Sequence, residues 1–280
     1  MNARWLSVVA VCVACTAGPA RPAAESCVPV GKPLALPDVR EASGIAVGRL
    51  PWLINDSGNP PLLYPLDAAG MTSRVTLTGA NLIDWEDLSI GRCGATDCLY
   101  IADIGDNRTS RDRVTIYRVP EPAAGSASTM PADAFHLTYP DHPHDAEAFV
   151  VVPGRVQELF IITKDERPEV YRLARQLEPG RSSALSFVRV LGVREPITGA
   201  AASHDGHWIA LRSNRTLFIY PSQGFATDAS PVSVDLTSLD EPQGEGLAFD
   251  RSGELYLVSE SGDVDASAGV LTRLRCDFLR

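Results

Sequence analysis

Beyond its first residues the 280-residue sequence contains no apolar run near the roughly 18 residues that a helix needs to cross a bilayer. It also has no surplus of positive charge. Twenty-five basic residues stand against 35 acidic ones, so a phosphate backbone would be repelled and no nucleic-acid partner is expected. Several short catalytic motifs are missing: the G-x-S-x-G elbow, His-Glu-x-x-His, a phosphate-cradling glycine loop and a dinucleotide fingerprint. The glycine-rich stretch GEGLAFDRSGEL has the spacing of tight turns instead.

The first residues read MNARWLSVVAVCVACTAGPARPAAESC, with Arg4 ahead of an apolar stretch from Trp5 to Ala14 and then small residues and proline. That is the order of a secretory signal peptide, and we place it at 1–24, with a single mature domain over 25–280. The expected location is secreted, or periplasmic in the cell envelope. A lipoprotein anchor at Cys15 is the less favoured alternative, because Cys12 stands where Leu or Val is usual in that cleavage box. Loss of Arg4 and Arg21 with the leader takes the formal charge from −10 to −12, a field suited to cations.

Four cysteines then remain, an even number as expected in an oxidising compartment. They allow three pairings. Cys93 and Cys98 flank the polar turn GATD and suit a hairpin staple, which leaves Cys27 to pair with Cys276. A zinc site is the competing use of these cysteines, but no histidine stands near either pair at ligand spacing.

Internal repetition decides the fold class. Five openings, EASGIAV, DWEDLSI, DAEAFVV, PITGAAA and QGEGLAF, are each followed by a second strand: WLINDSG, LYIADIG, LFIITKD, WIALRSN and LYLVSES. Third strands follow in every unit and fourth strands in four, all short, β-branched or aromatic, and bounded by Gly, Pro, Asp or Asn. Aligned on Ser43, Glu86, Glu147, Thr198 and Glu245, the units recur at the period of a β-propeller, with a loop insertion in EPAAGSASTMPAD. The fold class is therefore all-β, a five-bladed β-propeller with four-stranded blades; a six-bladed ring is the alternative. The last unit lacks a fourth strand, and residues 28–38 are expected to supply it, with Cys27–Cys276 locking the ring.

In a propeller the first strand of each blade lines the central channel. Residues two apart share a face, so Asp84 points with Glu86, Asp145 with Glu147, Gln243 with Glu245 and Glu41 with Ser43. Second strands end near the same mouth and supply Asp56, Asp103, Lys164, Arg212 and Glu260. We expect Asp84, Glu86, Asp103, Glu147 and Glu245 to approach one axial region, with Lys164 and Arg212 compensating charge. Asp97 and Asp106 read as turn residues. Grouped carboxylates need a cation, a shared proton or a basic side chain. Calcium fits a ring of oxygen ligands, and Glu86, Asp103, Glu147 and Glu245 are its candidate ligands. Satisfaction of buried backbone groups and channel waters is the plain alternative. His142 and His144, beside Asp145 and Glu147, have the look of a transition-metal cluster, although alternating His with an intervening Pro more often marks an exposed turn.

Taken together, DWEDL, LYIADIGDNR with VTIYRVPEP, DAEAF, LFIITK, ITGAAASHDG and GEGLAF resemble a family of exported bacterial β-propeller proteins described as hypothetical or WD40-like. More distantly, EASGIAV and EGLAFDRSGELYLVSE look like inner blades of the SdiA-regulated, phytase-like and SMP-30/gluconolactonase propellers. That resemblance implies a calcium-binding mouth and ester or lactone hydrolysis, and nominates Glu86, Asp103, Glu147 and Glu245. The sequence thus supports two readings. One is a monomeric binding or scaffold module for a small molecule, glycan or protein. The other is a hydrolase, metal-assisted or glycosidic, with Glu86, Glu147 or Glu245 as base and Lys164 or Arg212 stabilising an oxyanion.

Overall fold

The computed structural model describes residues 26–67, 70, 73–174, 178–262 and 268–279; the expected leader, with Cys15, lies outside the described residues. Alternating apolar residues and the turn residues between them build five sheets, antiparallel but for one added strand, arranged in a ring, a five-bladed β-propeller. The inner strands are Ala42–Val47, Trp85–Cys93, Ala146–Val152, Gly199–Ala202 and Gln243–Phe249. Each lies against the inner strand of the next blade, and the fifth lies against the first. No helix among the described residues is long and apolar enough to cross a membrane.

Ring closure follows from the missing strand. The last blade ends with Gly269–Cys276, and the two short strands Cys27–Pro29 and Leu34–Leu36 pair antiparallel along its outer edge. Cys27 is directly opposite Cys276 in that register, and the two form a disulfide across 249 residues of sequence. Cross-linking so long a loop stabilises by about 5.5 kcal/mol in the chain-entropy model. Cys93 and Cys98 form the second disulfide, across the hairpin that joins Trp85–Cys93 to Thr96–Asp103.

The core lies between blades. Five apolar clusters fill the five interfaces, with Trp52 and Trp85 between blades one and two, Phe149 and Tyr171 between two and three, and Phe160 and Tyr220 between three and four. Leu217 and Phe249 sit between four and five, and Ile45 and Val258 between five and one. Each such side chain fully buried contributes about 1.5 to 3 kcal/mol, so the wedges hold the ring from every side.

Two segments cover outer edges. The insertion after Pro120 runs along Val75–Thr76, where Thr76 N–H donates to Ala127 O and Thr129 N–H donates to Thr76 O. Glu121, at its start, accepts from the Arg49 backbone and the Trp52 indole and so ties blade two to blade one. The sequence predicts four strands per blade, but blade two has a fifth. Ser182–Ala184, from the loop before the last strand of blade three, pairs parallel with Asp133–Thr138. Both additions screen backbone groups that an open edge would leave to other chains.

The axis is closed by small residues and one acid. The residues that follow the five aligned positions are Gly44, Asp87, Ala148, Gly199 and Gly246. Neighbouring inner strands approach so closely that a Cβ on Gly246 would strike the Ser43 carbonyl. Asp87 is the exception, a fully buried carboxylate. Its Oδ1 accepts from Leu88 N–H at 2.8 Å, while Oδ2 accepts from Phe149 N–H at 2.8 Å and Ala200 N–H at 3.1 Å. One side chain therefore bolts together blades two, three and four. Below it the axis is lined by Ala46, Leu88, Ala200 and Leu247.

Candidate functional site

The mouth of the channel is built by irregularities in the inner strands. In four blades the pairing of inner and second strand slips at the start, between Ala42 and Ile45, Trp85 and Asp87, Ala146 and Ala148, and Gly244 and Leu247. A bulge inserts an unpaired residue and re-aims its side chain. Ser43, Glu86, Glu147 and Glu245 fall in these bulges. The three glutamates are 4 to 6% exposed, deep enough for burial to penalise their charge.

Around Glu86 the acids are close. One carboxylate oxygen each from Asp56, Asp84 and Glu86 can be chosen so that all three lie within 4.8 Å of one another. Burial, and then the negative charges of Glu147, Asp56, Asp84 and Glu245, push the Glu86 carboxyl well above its ordinary range. Burial also raises Asp56 and Asp84, against hydrogen bonds from Ser57 that favour the ionised forms. Gly105 leaves the room for this cluster, since a Cβ there would collide with Glu86 Oε1 and with the Asp84 carboxylate.

Glu147 has a cation, Lys164, whose Nζ bonds its Oε1. Lys164 is one of two lysines in the chain. Burial opposes its charge, but Glu147 outweighs that, with help from Glu245 and Glu86, and its pKa is raised. Burial still carries Glu147 up to about 7 despite Lys164. Its second oxygen, Oε2, is buried without a hydrogen-bond partner among the described residues. Glu245 accepts from Gln243 Nε2 at 2.8 Å, yet burial and the Glu147 charge hold it well above the usual range. Glu260 stands at the rim and is raised to about 7 by burial and by Asp56 and Glu41.

The other two candidates are placed differently. Asp103 is fully buried behind the mouth, where it accepts from the Asp84 backbone N–H at 3.2 Å and pairs with Arg111 Nη2 at 2.7 Å. It braces the strand that carries Asp84 and Glu86. Arg212 is not drawn to the glutamates: fully buried beneath Gly244, it pairs with Glu241 Oε2 at 2.7 Å and donates to Val258 O at 3.1 Å. Asp97, expected in the turn, instead lies just past it in Thr96–Asp103, opposite Arg92 with which it pairs, whereas Asp106 accepts from Ser110 and Arg111 N–H within its loop, as expected.

The structure thus gathers Glu86, Glu147, Glu245 and Lys164 with Asp56, Asp84 and Glu260 about one opening. Beside Lys164 and Glu245 lies an open cleft of about 470 Å³ walled by Pro196, Thr198, Asn214 and Pro242, within the size range of small-molecule sites. Sequence reasoning passed over Asp87 and Gly105. The signal for Asp87 was its alignment with Gly44, Ala148, Gly199 and Gly246, the one acid in a column of small residues.

No known sequence family and no curated protein matches the chain. Solved structures do. A luciferin-regenerating enzyme shares 11% identity at a TM-score of 0.52, covering 88% of this chain and 95% of that one. An oxidoreductase (glucose dehydrogenase) from Thermus thermophilus shares 10% at 0.52, covering 87% and 99%. The apo form of the soluble aldose sugar dehydrogenase of Escherichia coli shares 9% at 0.50, covering 88% and 99%. At such identities the likeness is one of fold, and this chain is similar to these enzymes as a β-propeller.

Proposed function

We propose that the protein is an exported binding module, cleaved after a leader at 1–24, in which Asp56, Asp84 and Glu86 hold a calcium ion at the channel mouth and the adjoining cleft takes a small molecule, glycan or protein segment. The observation that carries this reading is the convergence of three carboxylates within 4.8 Å while the nearest lysine is committed to Glu147. Oxygens bound to one calcium ion at 2.3 to 2.6 Å lie at most about 5 Å apart, so the observed separations suit a shared ion. The donor set is all oxygen, which favours calcium over softer metals. Glu147 and Glu245 stand close enough to shape the field without being needed as ligands. The two disulfides fit an oxidising compartment.

A second reading rests on Glu147. Its unpartnered Oε2 and its pKa near neutrality suit a general base that takes a proton from water, and Lys164 is placed to stabilise an oxyanion. A bound ion would add Lewis acidity toward a carbonyl or phosphoryl oxygen. The test is thermal unfolding of residues 25–280 in EDTA and then in calcium. Calcium at 100 times its dissociation constant adds about 2.7 kcal/mol, seen as a higher Tm. Asp84→Asn should lose that rise; an unchanged native Tm on calcium addition rejects the ion. Turnover of ester or lactone substrates that Glu147→Gln abolishes, with calcium binding intact, would favour the hydrolase.

A further inference from the structure

Outside the mouth, the loop 139–145 that leads into the inner strand of blade three gathers a different kind of donor. His144 is 6% exposed, and its Nε2 faces three oxygens: Asp141 Oδ1 at 3.1 Å, Asp141 Oδ2 at 3.2 Å and the Tyr171 hydroxyl at 2.8 Å. The Tyr171 hydroxyl donates to Glu169 Oε2 at 2.7 Å, so its oxygen is free to accept. One ring hydrogen can serve only one of these three acceptors well. A cation set among the nitrogen and the carboxylate oxygens would serve them together.

His142 completes the group. Its Nδ1 lies 3.1 Å from the Pro143 carbonyl, which can only accept, so Nδ1 carries the hydrogen and Nε2 bears the lone pair. That nitrogen lies 3.9 Å from Asp141 Oδ2, and the His142 ring centroid is 4.2 Å from that of His144. Metal-binding histidines commonly donate their other ring N–H to a carbonyl in this way. One ligand atom each from Asp141, His142 and His144 can be chosen with all separations within 4.8 Å. Ligand atoms about 2.0 to 2.1 Å from a tetrahedral zinc ion are about 3.3 Å apart, and the separations of 3.2 and 3.9 Å from Asp141 Oδ2 to the two Nε2 atoms bracket that value.

We propose that Asp141, His142 and His144 form a binding site for a borderline divalent transition-metal ion of the zinc class, separate from the carboxylate mouth. Two imidazoles and one carboxylate prefer such ions to calcium or magnesium. The site opens on a cleft lined by Thr109, Asp165, Arg167 and Glu169, which leaves a fourth position for water or a carboxylate. Tyr171 and Tyr139 pack against His144 with centroids 5.1 and 4.8 Å away and fix its ring. The proposal does not depend on the calcium reading.

Calorimetric titration of the full mature chain with zinc chloride, in excess calcium to fill the mouth, tests it. One equivalent should bind, and the same protein loaded with cobalt(II) should show the intense visible bands of four-coordinate cobalt. His142→Ala, at an exposed position that should not disturb folding, is expected to weaken zinc binding at least tenfold while leaving the Tm in EDTA unchanged. His144→Ala should abolish binding, with circular dichroism to show that it folds. Absence of zinc binding, binding unaffected by His142→Ala, or binding lost instead in Glu86→Gln would each overturn the site.

Discussion

Asp87 and Glu86 are neighbours on one inner strand, both carboxylates and both buried, yet they sit in opposite electrostatic worlds. Asp87, at the axis, meets three backbone N–H groups from three blades. Glu86, one residue toward the mouth, meets Glu147, Asp56, Asp84 and Glu245. Burial raises the pKa of both well above the ordinary range; hydrogen bonds oppose that rise at Asp87, whereas like charges add to it at Glu86. A buried acid that serves the fold is given donors. One that is given more acids requires something from outside, a proton or a cation.

Removing the bolt should have the largest effect. Asp87→Ala leaves three buried N–H groups unmet and should lower stability by about 3 to 5 kcal/mol, with urea unfolding as the measure. Asp87→Asn keeps one accepting oxygen, enough for the Phe149 and Ala200 N–H groups but not for Leu88 N–H, and should cost less than Asp87→Ala. At the mouth pH is the lever. Glu147 and Glu260 titrate near 7 in the folded state, and Glu86 and Glu245 well above 4.5, so as pH rises the unfolded chain releases these protons first. The stability that Glu147 and Glu260 contribute is complete below about pH 4.5 and is lost as pH climbs through about 7, and that of Glu86 and Glu245 is lost as pH rises above the ordinary carboxylate range, so in EDTA the Tm should fall from pH 5 to pH 8. Calcium should reverse much of that decline.

Glu86→Gln should act against the usual direction of core substitutions. It removes a charge from among its like and should raise stability in EDTA at pH 8 by roughly 1 kcal/mol, while flattening the pH profile. The smallest effect is expected at Lys164→Met. Its side chain is about one-third exposed, so the net change should stay within about 1 kcal/mol. Glu147, without its partner, should titrate at higher pH, a shift that carboxyl NMR can follow.

Much of this architecture could be read from the sequence. Alternating apolar residues and turn formers marked the five units, and an unpaired edge beside Cys276 required the N-terminal strand. Ser182–Ala184 escaped notice because Ser-Ser-Ala carries no strand signal and the pairing is imposed by the edge of another blade. Strict alternation placed Glu86 at the mouth but turned Asp87 away from it, and only the bulge between Trp85 and Asp87 sends both toward the axis. Arg212 stood at the same strand end as Lys164, yet Gly244 opens space beneath it and Glu241 claims it, a long-range pairing with no local sign.

Calcium titration calorimetry of residues 25–280 at pH 7, in two buffers with different heats of ionisation, tests the central claim most directly. If the crowded carboxylates hold protons until a cation replaces them, calcium will bind and release protons, the apparent heats will differ between buffers, and Glu86→Gln will diminish both. A native protein that binds no calcium, or binds it with no proton release, would contradict the account.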